Sequence, residues 1–334
     1  MAQFLVRFTP LEPYFFGGDK TFSFEESEKQ TYFIFSETLP QQTTFLGALR
    51  YFFLPEKDPL KVGQYAHLVG AESFDVRQEM PQDFGVIRCI SPFFLLRGEE
   101  ILVRTPMDHR MGYESYTPFG NFRTMQTIEG MKEYTEDFDA KNGVADGFIS
   151  LDSGRVYPIG DLITKQEKVR ATTDEEGSSK VYHREYCRLK EGFSFAIFAE
   201  LDVDPDTLSE TKVIYLGQRK SAFSLQFFEA EGEFRRVQNK ISLMLDRKTV
   251  YFFGDALVFH SIYEKSSFSV TQLVNYRSFM TKEGSIEKGK RLYHLIRGGS
   301  ILRCDDEAYH ELCRRISIEN YQNIGWNHII RGTK

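Results

Sequence analysis

Short runs of aromatic and β-branched residues recur along almost the whole chain, and they limit what it can fold into. Such runs favour strands, because their side chains pack well on a pleated, half-buried surface. The sequence predicts clear strands at 4–8, 31–35, 86–90, 101–105, 193–200, 212–216, 224–228 and 251–257. Helical patterns are sparse and do not alternate regularly with the strands. The chain is therefore predicted to be an α+β protein with antiparallel sheets rather than a parallel α/β protein.

The segment 38–50 is the most informative stretch of the sequence. Thr43 or Thr44 can cap a helix over 43–54, because a hydroxyl there accepts a hydrogen bond from an unpaired backbone N–H. The apolar face of this helix is made by Phe45, Leu49 and Phe53. Arg50 lies off that face. A strand, a polar loop and a capped helix with an outward arginine together suit a phosphate chain.

Further helices are predicted near 58–70, near 235–246 and from Asp305 onward. The last has a clear start, because Asp305 or Asp306 can cap it. Its apolar stripe is formed by Ala308, Leu312 and Ile316.

The charge of the chain is uneven. At 334 residues two domains are expected, and the net charge of −6 argues against a generic basic nucleic-acid binder. Residues 98–152 carry a net charge of −6, whereas 211–248 carry +4 and 277–303 carry +5. Such a chain can present RNA with one face and protein partners with another. Random clustering on a solvated surface explains the charges equally well.

The sequence offers no sign of export, membrane insertion or a disulfide framework. No apolar run approaches the roughly 18 residues that span a bilayer. The first residues lack a signal peptide's basic head and long apolar stretch, so the protein is expected to be cytoplasmic. The four cysteines have no paired spacing, which predicts neither disulfides nor a zinc knuckle.

Candidate catalytic motifs are incomplete. Gly17-Gly18-Asp19 begins like the metal-binding turn of a palm polymerase, but Lys20 follows where a second carboxylate is required. His310 and Cys313 lie three residues apart without a second pair of metal ligands. Gly298-Gly299-Ser300 lacks the lysine of a phosphate-binding Walker loop. No catalytic residue, metal or cofactor is therefore predicted.

A series of short motifs, taken in order, resembles a known family. The chain reads Pro-Leu-Glu-Pro-Tyr-Phe-Phe-Gly-Gly-Asp at 10–19 and Thr-Phe-Leu-Gly-Ala-Leu-Arg at 44–50. Further matching segments are 87–96, 213–225, 296–301 and 323–327. The order of these segments along the chain resembles the order found in the RAMP superfamily of CRISPR proteins. Within that superfamily, the chain most resembles the backbone subunit of type III-B (Cmr-type) effector complexes that holds the 5′ handle of the guide RNA.

The chain departs from the family pattern in two places. Ser91-Pro92 stands where relatives have Gly-Pro, and Gly217 is alone in a loop where relatives often carry two or three glycines.

The resemblance implies two ferredoxin-like (RRM-like) domains with antiparallel sheets and loop or hairpin insertions. The first domain is expected at 1–165, with an acidic insertion near 106–150 that could carry a hairpin for prying the guide. The second is expected at 166–334, with glycine–basic loops. The implied partners are the crRNA 5′ handle, the large polymerase-like subunit and the backbone RAMP subunits, with target RNA contacted indirectly and no membrane.

Three groups of residues are predicted to contact RNA. The first, at the start of helix 43–54, consists of Gln42, Thr43, Thr44 and Arg50. The second is the glycine–basic loop of Gly217, Gln218, Arg219, Lys220 and Ser221. The third consists of Arg297, Gly298 and Gly299 with Trp326 and Asn327. Further candidates are Lys20 and the residues Arg170, His183 and Arg184 around a flexible polar loop at 172–179.

Each group also has an ordinary structural explanation. The first can be a plain helix cap with a surface arginine, the second a hairpin with a basic tip, and Trp326 can belong to the core. Two alternative functions stay open as well. One is the equivalent subunit of a type III-A (Csm-type) complex. The other is a metal-independent guide-processing ribonuclease, for which His183 is the best general acid–base candidate.

Overall fold

The computed structural model describes residues 1–23, 31–128, 130–139, 141–173, 179–217, 220–282, 285–289 and 291–334. Its strands are β1 (Ala2–Pro10), β2 (Phe16–Ser23), β3 (Thr31–Glu37), β4 (Ile87–Ile90), β5 (Phe94–Arg97), β6 (Glu100–Arg104), β7 (Arg123–Thr127), β8 (Gly130–Tyr134), β9 (Gly147–Ser150), β10 (Val156–Pro158), β11 (Ile163–Thr173), β12 (Ser179–Leu189), β13 (Phe193–Leu201), β14 (Lys212–Leu216), β15 (Ser221–Glu229), β16 (Thr249–Phe252), β17 (Phe268–Val270), β18 (Leu273–Tyr276), β19 (Phe279–Lys282), β20 (Ser285–Lys288), β21 (Tyr293–Ile296), β22 (Ile301–Arg303) and β23 (Ile329–Arg331). Its helices are α1 (Gln42–Phe53), α2 (Ala66–Val69), α3 (Ile159–Leu162), α4 (Glu233–Met244), α5 (Asp306–Ile316) and α6 (Glu319–Gln322). Two 3₁₀ segments lie at Pro59–Tyr65 and Pro205–Leu208.

The largest sheet is antiparallel, with β1 near its middle. The strands follow the order β10-β9-β6-β5-β13-β1-β15-β14, and β4 also pairs with β13. Every second residue of β1 is buried, which places Phe4, Val6 and Phe8 on one face. Helix α1 covers that face, where the Phe45 ring lies 5.1 Å from the ring of Phe8. This packing fixes where the start of α1 lies.

A second sheet has the order β11-β12-β3-β2, and its β12–β3 pair is parallel. The expected domain boundary at 165/166 falls inside β11. The largest sheet also takes β13, β14 and β15 from beyond that boundary. Strands from both sides of residue 165 therefore share one sheet.

A third sheet, β17-β22-β16-β23, packs between α5 and the largest sheet. On one face of the third sheet, Tyr251 and the adjoining Phe253 share a hydrophobic core with Phe94 and Phe198 of the largest sheet. On the other side, Val250 and neighbouring residues pack on α5. The Tyr251 hydroxyl donates a hydrogen bond of 2.7 Å to the carbonyl of Arg104, which ties the two sheets together.

The coarse prediction of a mixed α+β fold with mostly antiparallel sheets and few helices is confirmed. The helix from Asp305 is also confirmed. The Asp305 carboxylate accepts a hydrogen bond from the N–H of Ala308, and Ala308, Leu312 and Ile316 are the buried residues.

Other element predictions need correction. Helix 58–70 is a 3₁₀ segment followed by the short α2, and strand 251–257 ends earlier, as β16. Neither Thr43 nor Thr44 caps α1, because the N-cap position is Gln41 and no side chain closes it. The acidic insertion does contain a hairpin, β7–β8. The predicted polar loop at 172–179 joins β11 to β12, and its residues 174–178 lie outside the described part of the chain.

Candidate functional site

A cleft of roughly 350 Å³ opens beside the start of α1. It is bounded by the segment that leads into α1, by β18 of a separate two-stranded sheet, and by residues around Arg297. The first backbone N–H groups of a helix have no partner within the helix and carry a partial positive charge. The cleft therefore lies at an end of α1 that suits an acceptor or an anion.

Gln42 fixes the start of α1 against the largest sheet. Its amide nitrogen donates to the carbonyl of Ser91 at 2.7 Å, and its amide oxygen accepts from the N–H of Phe93 at 3.0 Å. Gly325 packs against the same contact, where a Cβ would lie 2.5 Å from the Gln42 amide nitrogen. Gln42 lines the cleft as predicted, but its side-chain amide is used inside the protein.

Arg297 lines the cleft, and its guanidinium donates hydrogen bonds to two side chains. Its guanidinium donates to Asp146 Oδ1 at 2.7 Å and to Gln272 Oε1 at 2.5 Å. The next residue, Gly298, donates its N–H to Asp255 Oδ1 at 2.8 Å. The cleft thus contains acceptors as well as donors.

Arg104 is a cleft residue that sequence reasoning missed. It is 9% exposed, and its guanidinium lies 5.5 Å from the ring centres of both Phe93 and Phe148. Its Nη1 has no hydrogen-bond partner among the described residues, and the Asp146 carboxylate is 3.9 Å away. Burial, and next the charge of Arg297, lower the pKa of Arg104 to about 10, so it stays charged at neutral pH. The sequence signal for Arg104 is its position at the end of the apolar run Ile101–Val103, which is predicted to be a strand. An arginine at such a position is seldom buried without a partner.

The structure brings the first and third predicted groups together. Gln42, Arg297 and Trp326 all line the cleft. Of the glycine–basic loop, the described residues Gly217, Lys220 and Ser221 do not line it.

Arg50 does not line the cleft, and its guanidinium is bonded inside the protein. Its Nε donates to the carbonyl of Val69 at 2.6 Å and its Nη2 to that of Gly70 at 3.1 Å. The guanidinium lies over the ring of Phe84. Burial lowers the pKa of Arg50 to about 10. Arg50 closes the C-terminal end of α2, so its placement is that of a packing residue.

Trp326 and Asn327 are core residues rather than stacking or base-contacting ones. Trp326 is 1% exposed, and its ring is met edge-on by Tyr276 at 4.8 Å and by Phe74 at 5.2 Å. A base cannot stack on a ring that is enclosed in this way. Asn327 is fully buried, and its amide bonds the backbone of Leu257 and the carbonyl of Ile316.

The glycines of the other groups also serve the fold. A Cβ on Gly217 would lie 2.4 Å from the carbonyl oxygen of Phe15, and one on Gly299 would lie 2.9 Å from that of Thr105. Ser221 is buried and accepts a hydrogen bond from the N–H of Phe15. Lys220 is exposed. Gln218 and Arg219 lie outside the described residues.

The candidates on the second sheet lie apart from the cleft. His183 pairs with Glu167 and stacks on the ring of Phe33 at 4.7 Å. Arg184 is buried, and its guanidinium lies 5.3 Å from the ring centre of Phe15. The side chains of Lys20 and Arg170 fall outside the described part of the chain. Thr43 and Thr44 are half-buried on the first turn of α1.

The described residues contain no group of three His, Cys, Asp or Glu side chains placed to hold a metal ion. None of their helices has the length and apolar character required to cross a membrane.

Comparison with known families and structures decides the identity of the fold. Residues 6–140 match the model of the family "CRISPR-associated protein (Cas_Cmr3)". A chain of the type III-B Cmr-beta complex bound to cognate target RNA is similar over 98% of this chain and 96% of its own, with a TM-score of 0.54 and 14% identity. The chain is therefore similar to type III CRISPR subunits of the Cas_Cmr3 kind.

Two further solved structures are also similar to this chain. A chain of Cmr-beta bound to cognate target RNA and AMPPnP gives a TM-score of 0.50 at 13% identity, over 98% of this chain and 95% of the other. A chain of the type III-A Csm3–Csm4 subcomplex gives 0.39 at 13% identity, over 90% and 93%. No curated protein sequence matches the chain. The resemblance found in the sequence is confirmed, and its first two motifs lie inside the matched residues 6–140.

Proposed function

We propose that this Cas_Cmr3-type protein is a non-catalytic RNA-binding subunit that anchors the 5′ handle of the guide RNA in a type III-B CRISPR ribonucleoprotein. The observation that carries the proposal is the cleft where the start of α1, Arg297 and the Arg104 guanidinium converge. Helix starts and arginines supply donors for acceptor groups of RNA, including those on base edges. The similar Cmr-beta chain belongs to a complex bound to target RNA, which supports the same assignment.

The proposal extends to partners. We infer that the protein lies at the foot of the complex, with the large polymerase-like subunit on one side and a backbone RAMP subunit on the other. It contacts target RNA only indirectly and acts in the cytoplasm without a cofactor. The Cas_Cmr3 match supports the type III-B assignment over type III-A.

Strand order supports two ferredoxin-like units. Such a unit follows a β-α-β-β-α-β path, with its first and third strands in the middle of the sheet. In the largest sheet β1 and β13 lie between β4 and β15, and α1 follows β1. In the third sheet β16 and β22 lie between β17 and β23, and α5 precedes β23. Each unit then has one long α-helix, α1 or α5, where a ferredoxin-like unit has two.

The proposal is tested with purified protein and labelled RNA. Handle-containing RNA should bind more tightly than a scrambled RNA of equal length, and it should stay intact with or without divalent metal. Equal affinity for both RNAs would contradict handle anchoring. Site-specific products that disappear in His183→Ala would instead support the ribonuclease alternative.

A further inference from the structure

Arg104 is a buried cation whose hydrogen-bonding capacity is not fully used within the described residues. A buried charge without hydrogen-bond partners is costly, and such groups are normally paired. Two aromatic rings hold the Arg104 guanidinium in place, while its Nη1 finds no acceptor in the described part of the chain. The indole N–H of Trp326, another residue of the cleft wall, has no partner there either. Acceptors supplied by a ligand would satisfy such donors.

The other charges of the cleft disfavour a phosphate as that ligand. Glu37, Asp146 and Asp255 line the same cleft as Arg104 and Arg297, so acids outnumber bases. The contacts of Arg297 and Gly298 use Oδ1 of Asp146 and of Asp255. Carboxylates accept hydrogen bonds only. The fitting ligand is therefore neutral and carries both acceptors and donors.

We propose that the cleft takes one unstacked guanine base of the bound RNA, with Arg104 contacting its O6 and N7 and a cleft carboxylate accepting from its N1 and N2 groups. Arginine to O6 and N7 of guanine is the commonest specific base contact, and single-stranded RNA is read on both base edges. Adenine lacks the O6 acceptor. Leu39, Leu295 and Tyr276 supply apolar wall for the flat ring. This inference rests on the proposed RNA-binding function.

The test uses the full chain and fluorescein-labelled eight-nucleotide RNAs at fixed salt. One RNA is all adenosine, and the others carry a single guanosine at each position in turn. Anisotropy should show one position where guanosine raises affinity about tenfold, the effect of one good bidentate contact. Replacing that guanosine by 7-deazaguanosine or inosine should reduce the gain, because each removes one of the groups that the cleft reads.

The variant Arg104→Met should abolish the guanosine preference. The matched control is Arg97→Met on the neighbouring strand, an exposed arginine that bonds the Tyr157 hydroxyl outside the cleft and should keep the preference. Arg104→Met should also melt no lower than the wild type, because it removes a buried charge whose Nη1 has no hydrogen-bond partner among the described residues and whose ion pair with Asp146 is long, at 3.9 Å. If it does not fold, the wild-type scan with the two analogues decides alone.

The possible outcomes distinguish the guanine site from the proposed RNA-binding function. Tight binding of every RNA without a preferred guanosine position overturns the guanine site and leaves RNA binding intact. A preference that survives Arg104→Met overturns the role of Arg104. Failure to bind any RNA, including one that carries the handle, overturns the proposed function and this inference together.

Discussion

At the scale of single residues, burial separates arginines that look alike in the sequence. Arg50 follows a helical stripe and looks like a surface cation, yet its guanidinium bonds two backbone carbonyls. Arg104 ends an apolar strand and looks structural, yet its Nη1 has no acceptor among the described residues. Both are buried enough to lower their pKa to about 10. What differs is which acceptors the fold brings to them, and those come from distant parts of the chain.

The contacts of Arg50 predict a stability effect. Arg50→Ala leaves the carbonyls of Val69 and Gly70 without their charged donor, so it should cost about 1.5–3 kcal/mol of unfolding free energy. Urea unfolding measures this. Arg77, which is exposed and pairs with Asp75, is the control, and its alanine variant should stay within about 0.5 kcal/mol of the wild type.

Arg50→Ala should also leave RNA affinity unchanged under conditions where the variant is folded. A variant as stable as the wild type that binds RNA weakly would restore Arg50 to the RNA-binding surface.

At the scale of elements, the loop between β6 and β7 contains a buried acid with an altered pKa. Burial raises the pKa of Asp108 to about 6, although the Tyr116 hydroxyl donates to it and opposes the shift. Asp246 raises this pKa slightly and Arg303 lowers it. Next to it, the Nδ1 atom of His109 accepts a hydrogen bond from a backbone N–H, and burial lowers the pKa of this histidine.

Asp108→Asn should stabilise the protein at neutral pH. The folded pKa lies above the unfolded value of about 3.9, so the charged form costs stability above pH 6, and this cost disappears as pH falls towards 4. Asparagine stays neutral and still accepts from Tyr116. The variant should be more stable by up to roughly 3 kcal/mol at pH 7 and equal to the wild type near pH 4.

Chemical denaturation of both proteins at several pH values checks this prediction. The titration of His109 affects the stability of both proteins equally, so it does not change the difference in unfolding free energy between them. A constant difference between pH 4 and pH 7 would show that Asp108 keeps an ordinary pKa.

Elements with a complete local signal were predictable from the sequence. Helix α5 has a capping carboxylate and an apolar stripe within one short segment, and both occur as predicted. The start of α1 shows the opposite case. Its hydroxyl-rich sequence predicts a side-chain cap, but Gln42 instead bonds the strand connection at Ser91 and Phe93. Contacts over such distances leave no periodic pattern in a single sequence.

At the scale of the whole molecule, the coarse prediction of a mixed α+β fold with mostly antiparallel sheets is confirmed, and strands from both sides of the expected domain boundary share one sheet. The family resemblance implies a boundary at 165, whereas the largest sheet continues through β15, which ends at Glu229. The cleft shows the same limit. Motifs at 44–50 and 296–301 were recognised separately, but only the packing of the sheets brings Gln42, Arg104 and Arg297 to one place.

The shared core between the largest and third sheets predicts that neither part folds well alone. A fragment of residues 1–230 would expose Phe94, Phe198 and Ile149, which the intact chain buries against Tyr251, Phe253 and α4. Each such side chain left in water forgoes about 1.5–3 kcal/mol. The fragment should therefore aggregate or bind a hydrophobic dye when expressed by itself.

Co-expression with residues 231–334 should restore a soluble complex with the melting behaviour of the intact chain, which calorimetry can compare. The matched control is the full chain cut by a protease at an engineered site in 174–178, because that site leaves the shared core uncut. A fragment 1–230 that is monomeric, dye-negative and cooperatively folded would contradict the prediction. It would mean that the two sheets form separate domains and that the cleft is a surface between them.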